Sequence, residues 1–533
     1  MKPLFSTLSA LVLGMLICPL AQAQVCEEPG IQSELQFLRR VSLDLNGRIP
    51  TYEQYQEVIE VGSVTGDMLE GLLHSEDFTH QIRQYHRDLL WTNLDTQRLS
   101  NNNFFLAPPR RGNGAQPYSS IAFGKRQAYR GAQVSCLNEP ARFDADGQIQ
   151  VTESETPAGS GQMIRQEGYV EVQPYWAPET TIRVCAFDAQ TNEMGTNQAG
   201  RPINCRTGTA TDCGCGPNLN WCMSQQTQIE IRNAMLEQML EFTTSVVDTN
   251  QPYSDVITGQ TFKVNGPLVH YFKYLTSAGP NFVTALPDAG YPLPDLQYSQ
   301  REWVTVTSDA DLHAGVLTMP GYLLKFQSDR GRANRFYNSF LCTAFQAPEG
   351  GLPAADDPCN EEPDLTKRCG CAHCHQSLEP AAAHWGRWAE AGLANLDSDA
   401  FPRYDRRCDP NVTPGSERNF RCRRAYITNQ DSEYAGQLLA YEFADAHPDR
   451  EMIIETGPQR IAQQALETGQ FAQCTVNKIW QLIMNREPLT LEADAIATLT
   501  AEFKAGYNLR DLIRAIILRP EYRYLGREPT EGQ

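Results

Sequence analysis

The chain of 533 residues carries 64 acidic against 45 basic side chains, a formal net charge of −19. That balance argues against nucleic acid or an anionic membrane as a partner, and acidity alone names no substrate. The length exceeds one ordinary core, so two to four domains are expected, and the apolar content is that of a folded chain.

The first residues, MKPLFSTLSALVLGMLICPLAQAQ, have the layout of a secretory signal. Lys2 starts it, an apolar run covers about 8–20, and Ala21-Gln22-Ala23 forms a small-x-small cleavage site. Cleavage after Ala23 is expected. Leu16 and Ile17 are too large for the residues that precede a lipidated cysteine, so Cys18 is not read as an anchor. No later run is long and apolar enough to span a bilayer, so no integral membrane segment is expected in the mature chain. The product is expected to be exported, to a bacterial periplasm, the cell surface or the medium. The sixteen cysteines agree with an oxidising compartment and make disulfides the default. Loss of Cys18 leaves an odd number, which cannot all pair.

The stretch 33-SELQFLRRVSLDLNGRIPTYEQYQEVI-59 predicts two helices broken at Asn46-Gly47, with Ser33 as an N-cap. A further helical pattern runs from Asp67 to about Leu94, with Leu69, Leu72, Leu73, Ile82, Tyr85 and Leu89 on one face. Composition changes near Ala107 and stays rich in Gly, Thr, Asn and Gln to about Trp221. There, 169-YVEVQPYW-176 and 181-TIRVCAF-187 alternate as strands do. Six cysteines (136, 185, 205, 213, 215 and 222) mark the region as a disulfide-braced, partly β insert. Cys213-Gly214-Cys215 lacks the spacer zinc prefers. Helix returns at 227–247, where Met235 and Met239 read as core. Segments 470–485, 490–506 and 508–520 each carry an apolar stripe, the last capped by Asn508 and stopped by Pro520.

The chemistry concentrates in 369-CGCAHCHQSLEP-380. Cys371-Ala372-His373-Cys374-His375 is a C-x-x-C-H run. Three chemistries use such residues: zinc, a disulfide cluster and a covalent haem. Two cysteines three apart on a helical turn point the same way and suit the two vinyl groups of one haem. The next residue then offers an imidazole to the iron. Imidazole suits iron in both redox states. Zinc lacks a second ligand pair at finger-like spacing downstream, and a plain disulfide has no use for His375. One motif implies one haem c, held by Cys371 and Cys374 with His375 as proximal axial ligand. His373 is read as a spacer, and Cys369 as a disulfide partner or free thiol.

Several stretches resemble the planctomycete-type cytochrome c family and its companion domains of unknown function. These are 37-FLRRVSLDLNGRIPTYEQ-54, 252-PYSDVITGQTFKVNGPLVHYF-272, 314-AGVLTMPGYLLKFQSDRGRANRFYNSFLC-342 and the haem motif followed by Glu379-Pro380. The stretches 471-FAQCTVNKIWQLIMNREP-488 and 507-YNLRDLIRAIILRPEYR-523 complete the likeness, which covers most of the chain outside 107–225. It implies an exported haem protein rather than a defined activity. The family usually continues after Glu379-Pro380 with a Gly-Phe stretch, whereas this chain has 381-AAAHWGRW-388.

The expected fold is mainly α and multi-domain, with a cytochrome c-like haem region between helical domains and a Cys-rich, partly β insert. The expected divisions are a signal peptide at 1–23, an N-terminal helical domain at 24–106 and the insert at 107–225. A helical domain at 226–340, the haem region at 341–430 and a C-terminal helical domain at 431–533 follow. For the sixth iron position the segment around His313 and Met319 is favoured, with Met452, Met484 and His384 as further candidates. His447 reads as a surface loop, and Trp385 and Trp388 as core, with packing on a porphyrin as the alternative. Local disulfides Cys408–Cys422 and Cys342–Cys359 are expected, with Cys474 a buried free thiol.

The functional expectation is electron transfer with a redox protein partner. The alternatives are a haem oxidoreductase with an open iron site, peroxidase-like or otherwise, and an envelope- or carbohydrate-associated protein with an accessory haem. Nothing in the sequence marks a second catalytic constellation or a sugar site.

Overall fold

The computed structural model describes residues 30–525, apart from 95–98, 100–103, 108–115, 121–128, 156, 158, 197–199, 207–212, 276–292, 309–312, 347–350, 352, 363, 391, 394 and 444–446. The expected signal segment lies outside the described residues.

The N-terminal prediction holds in detail. Ser33 caps the helix Glu34–Asn46 in a capping box with Gln36, and Gly47 ends it in the left-handed conformation (φ 66°). Thr51 and Gln54 repeat the box for Tyr52–Val61. Each such cap is worth about 1 kcal/mol. The pattern predicted over 67–94 is instead two helices, Gly66–Leu73 and Glu76–Leu90. Ser75 makes the break: its hydroxyl donates to the Leu72 carbonyl (2.9 Å) and accepts from Phe78 N–H (3.1 Å), a local bond that outcompetes helix continuation.

The helix Gln225–Asp248 runs through the centre with Met235 and Met239 buried. The C-terminal pattern gives Gln470–Met484, Ala493–Gly506 and Leu509–Ile517, with Asn508 capping the last. Pro520 then opens a further turn, Pro520–Arg523, as its missing N–H allows. One hydrophobic cluster joins Phe37, Ile82, Met235, Val264, Phe336, Trp385, Trp480 and Ile516. The N-terminal, middle and C-terminal helical segments therefore share a single core.

Strand content is spread more widely than the expected mainly-α architecture, with 47% helix and 12% strand in small sheets. Every sheet among the described residues has two strands. In the insert Tyr169–Val172 pairs antiparallel with Ile182–Cys185, matching the predicted strands. Outside it, Thr261–Val264 pairs with Val304–Thr307, and Gly30–Ile31 with Tyr524–Leu525, which brings the two ends of the described chain together.

Six disulfides tie the described residues. Cys136–Cys185, Cys205–Cys213 and Cys215–Cys222 brace the insert as expected, and Cys408–Cys422 is the predicted local pair. The expected Cys342–Cys359 pair is replaced by Cys342–Cys474 and Cys359–Cys369. Cys474 is therefore bonded rather than free. The sequence argument favoured the near partner, whereas packing of Asp329–Phe340 against Gln470–Met484 brings the distant one into range.

Candidate haem site

The approach to the motif is built by short-range bonds. The Asp364 carboxylate takes the Thr366 N–H (2.9 Å) and hydroxyl (2.7 Å), and the Asp364 carbonyl accepts from Arg368 N–H (2.8 Å). Cys359–Cys369 anchors the loop immediately before the motif. Gly370 then turns in the left-handed region (φ 75°), which a side-chain-bearing residue adopts only under strain. The chain enters the helix Ala372–Ala383 with Cys371 at its N-cap position.

The spacing works on this helix as the sequence predicts. Cys371, Cys374 and His375 are half-buried on one side of the first turn, while His373, Gln376 and Ser377 are exposed. Pro380 removes the helical bond to the Gln376 carbonyl, which lies on the exposed side. Cys371 and Cys374 are the free cysteines among the described residues. The Cys374 sulfur lies 3.3 Å from the Gln346 carbonyl oxygen, and the neighbouring Phe345 ring packs on Tyr337 with centroids 5.0 Å apart.

Behind the imidazole lies a charged pair. His375 Nδ1 bonds to Glu379 Oε1 one turn along the same helix. Arg330, from the helix Asp329–Phe340, donates its Nε–H to the same oxygen at 2.7 Å. The Glu379 side chain is wholly buried, Arg330 partly exposed. With a carboxylate facing Nδ1, the proton belongs on Nδ1, and Nε2 is the nitrogen available to a metal. A covalently held haem would take the two thiols and that Nε2. The donor set suits it, because the sulfurs are unpaired and the imidazole tautomer is the ligating one.

The other predicted candidates lie elsewhere. His313 is buried against Phe262 (centroids 4.9 Å) and Trp388 (6.4 Å), with Nδ1 at the Thr318 hydroxyl (3.2 Å). Burial pushes its pKa down to about 4. Met319 is buried at the start of the helix Pro320–Lys325. Leu317, two residues earlier, accepts from Trp385 Nε1 at 3.1 Å. Trp385 follows the C-terminus of the motif helix, so roughly 12 Å of helix separates this region from His375. His384 is buried and faces the Gly457 carbonyl (2.9 Å), Met484 is core, and Met452 is exposed. His447 lies in a loop, as expected, and accepts from Asp449 N–H (3.1 Å). Trp385 and Trp388 belong to the main core.

Among the described residues two groups of closely spaced metal-type donors occur, Cys136/Glu167/Cys185 and Asp357/Cys359/Cys369. Each contains both sulfurs of a disulfide, which leaves one carboxylate and no zinc site.

Sequence reasoning found the motif but gave Glu379 no role beyond a family resemblance. The i,i+4 spacing of His375 and Glu379 was the available signal. Arg330, 49 positions away, gave none. Comparison with models of known families, with curated proteins and with solved structures finds no match to this chain.

Proposed function

We propose that the chain is an exported c-type cytochrome that carries one haem on Cys371 and Cys374, with His375 as proximal ligand, and exchanges electrons with a redox protein. The thiol inventory carries this reading. Among the described residues every cysteine but Cys371 and Cys374 is bonded, and those two share a helix face with His375. A bound haem supplies one-electron exchange at its iron. The chain's own residues position it: the thiols fix one edge of the ring, and Glu379 holds the imidazole orientation. The motif is half-exposed, so the attachment edge is within reach of a docking partner. The net charge of −19 favours a basic partner and an encounter that slows with salt.

Six disulfides, and the absence among the described residues of a helix long and apolar enough to cross a membrane, support export. The likeness of the quoted motifs to the planctomycete-type cytochrome c family supports the same reading. The test is production with periplasmic haem attachment, followed by a pyridine haemochrome and the Cys371→Ser, Cys374→Ser double variant. One haem per chain, lost in the variant, is expected. Wild-type protein without a haemochrome overturns the proposal.

A second reading is favoured by the placement of His313 and Met319 near the far end of the motif helix. In that reading the sixth position is open and the protein is a haem-dependent oxidoreductase. Carbon monoxide separates the two: rapid binding to the reduced protein supports the open site, and an unchanged spectrum supports the closed carrier.

A further inference from the structure

We propose that Glu379 and Arg330 form an opposed pair of positioning residues that sets the reduction potential of a haem held at His375. The proposal rests on the cytochrome reading above and assigns to two unmotivated side chains a measurable effect on that site.

Glu379 is an expensive residue for a helix interior. Its carboxylate is buried, and Oε1 receives both His375 Nδ1–H and Arg330 Nε–H. Oε2 is buried with no protein partner. A buried carboxylate with one oxygen unsatisfied costs stability that an apolar residue would not. Glu379 lines a cavity of ≈ 260 Å³ together with the charged residues Asp329, Arg330, Glu390 and Glu442. Burial raises the pKa of Asp329 and of Glu442 there, and Arg330 is the cation placed directly on the Glu379 carboxylate.

A carboxylate one hydrogen bond behind a ligating imidazole makes the ligand more basic and stabilises iron(III) relative to iron(II). Glu379 therefore lowers the potential. Arg330 places positive charge on the same oxygen, weakens that push and raises the potential. The two residues sit on different helices, Ala372–Ala383 and Asp329–Phe340, so the setting depends on how those helices pack. Opposite signs separate this role from a structural one. If the pair only held the helices together, loss of either partner would loosen the same contact and move the haem in the same direction.

The experiment is an optical redox titration of the haem-loaded protein, comparing wild type with Glu379→Gln and Arg330→Gln after haem content is measured by pyridine haemochrome. For Glu379→Gln the iron(II):iron(III) ratio at a fixed solution potential is expected to rise about tenfold, a shift of about 59 mV upward for a one-electron couple. For Arg330→Gln it is expected to fall severalfold. Shifts of the same sign, or both ratios within twofold of wild type, overturn the proposal. If Glu379→Gln does not retain haem, Arg330→Gln decides alone: a fall supports the pair, and a rise or no change overturns it. Wild-type protein that binds no haem overturns both this proposal and the cytochrome reading. Haem-loaded wild type with non-diverging variants overturns the pair alone.

Discussion

Arg332 shows how single side chains hold this molecule. It is fully buried, and its guanidinium donates to the carbonyls of Phe326 (3.0 Å), Trp388 (3.2 Å), Ala389 (2.9 Å) and Gly392 (3.2 Å) and to Asp329 (2.9 Å). It thereby fastens the turn before its own helix to the segment that follows the motif helix. Breaking such a buried pair typically costs about 3–5 kcal/mol. Arg332→Met is predicted to lower the unfolding free energy by that order in urea titrations, and adding Asp329→Asn to recover part of it. His86 gives a pH prediction. Burial pushes its pKa down to about 4, with Nδ1 at the Ile82 carbonyl (2.8 Å) and Nε2 at the Tyr253 hydroxyl (3.0 Å). An unfolded histidine takes up its proton near pH 6.5, whereas the folded one does so only near 4. Protons therefore favour the unfolded chain across that window, and stability falls as pH drops from about 6.5 to 4. The urea midpoint is predicted to fall between pH 7 and pH 4.5, and less steeply in His86→Gln. A midpoint independent of the substitution's pH profile contradicts this. At this scale Cys371, Cys374 and His375 were legible because their chemistry lies in adjacent spacing. Arg330 was not, because its meaning comes from a contact between helices.

At the scale of elements, caps decided what could be read. Ser33 and Asn508 announce their helices, and both helices start where the sequence says. Ser75 is equally a cap, yet it sits within a continuous apolar stripe, and periodicity alone runs through it. Only a helical turn was legible at the C-x-x-C-H run, not the full helix Ala372–Ala383, whose apolar face is interrupted by a buried glutamate and by Pro380. Gly370 is the element-scale point of failure. A residue with a Cβ there meets a left-handed φ of 75° and about 1–2 kcal/mol of strain one position before Cys371. Gly370→Ala is predicted to reduce the fraction of chains that carry covalent haem, read as the ratio of haem to protein absorbance. Gly62→Ala, at another left-handed cap with open space around it, serves as a control for the same backbone cost far from the motif.

At the scale of the whole molecule, one core and one long-range disulfide link segments that look separate in the sequence. Cys342–Cys474 spans 132 positions, and constraint of a loop that long is worth about 5 kcal/mol in the chain-entropy account. The Cys342→Ser, Cys474→Ser double variant is predicted to lose a large part of that in chemical denaturation, while Cys408→Ser, Cys422→Ser, which opens a separation of only 14, loses less. Equal losses would contradict loop length as the controlling quantity. The pairing was illegible because nothing local distinguishes position 474 from 359 as a partner for Cys342. The central functional claim is tested most directly by peptide mapping of the periplasmically matured wild-type protein. The account predicts one haem c, with iron and no zinc, on the peptide containing Cys371 and Cys374. Recovery of that peptide without haem, with its two cysteines joined to each other or bound to zinc, would contradict it.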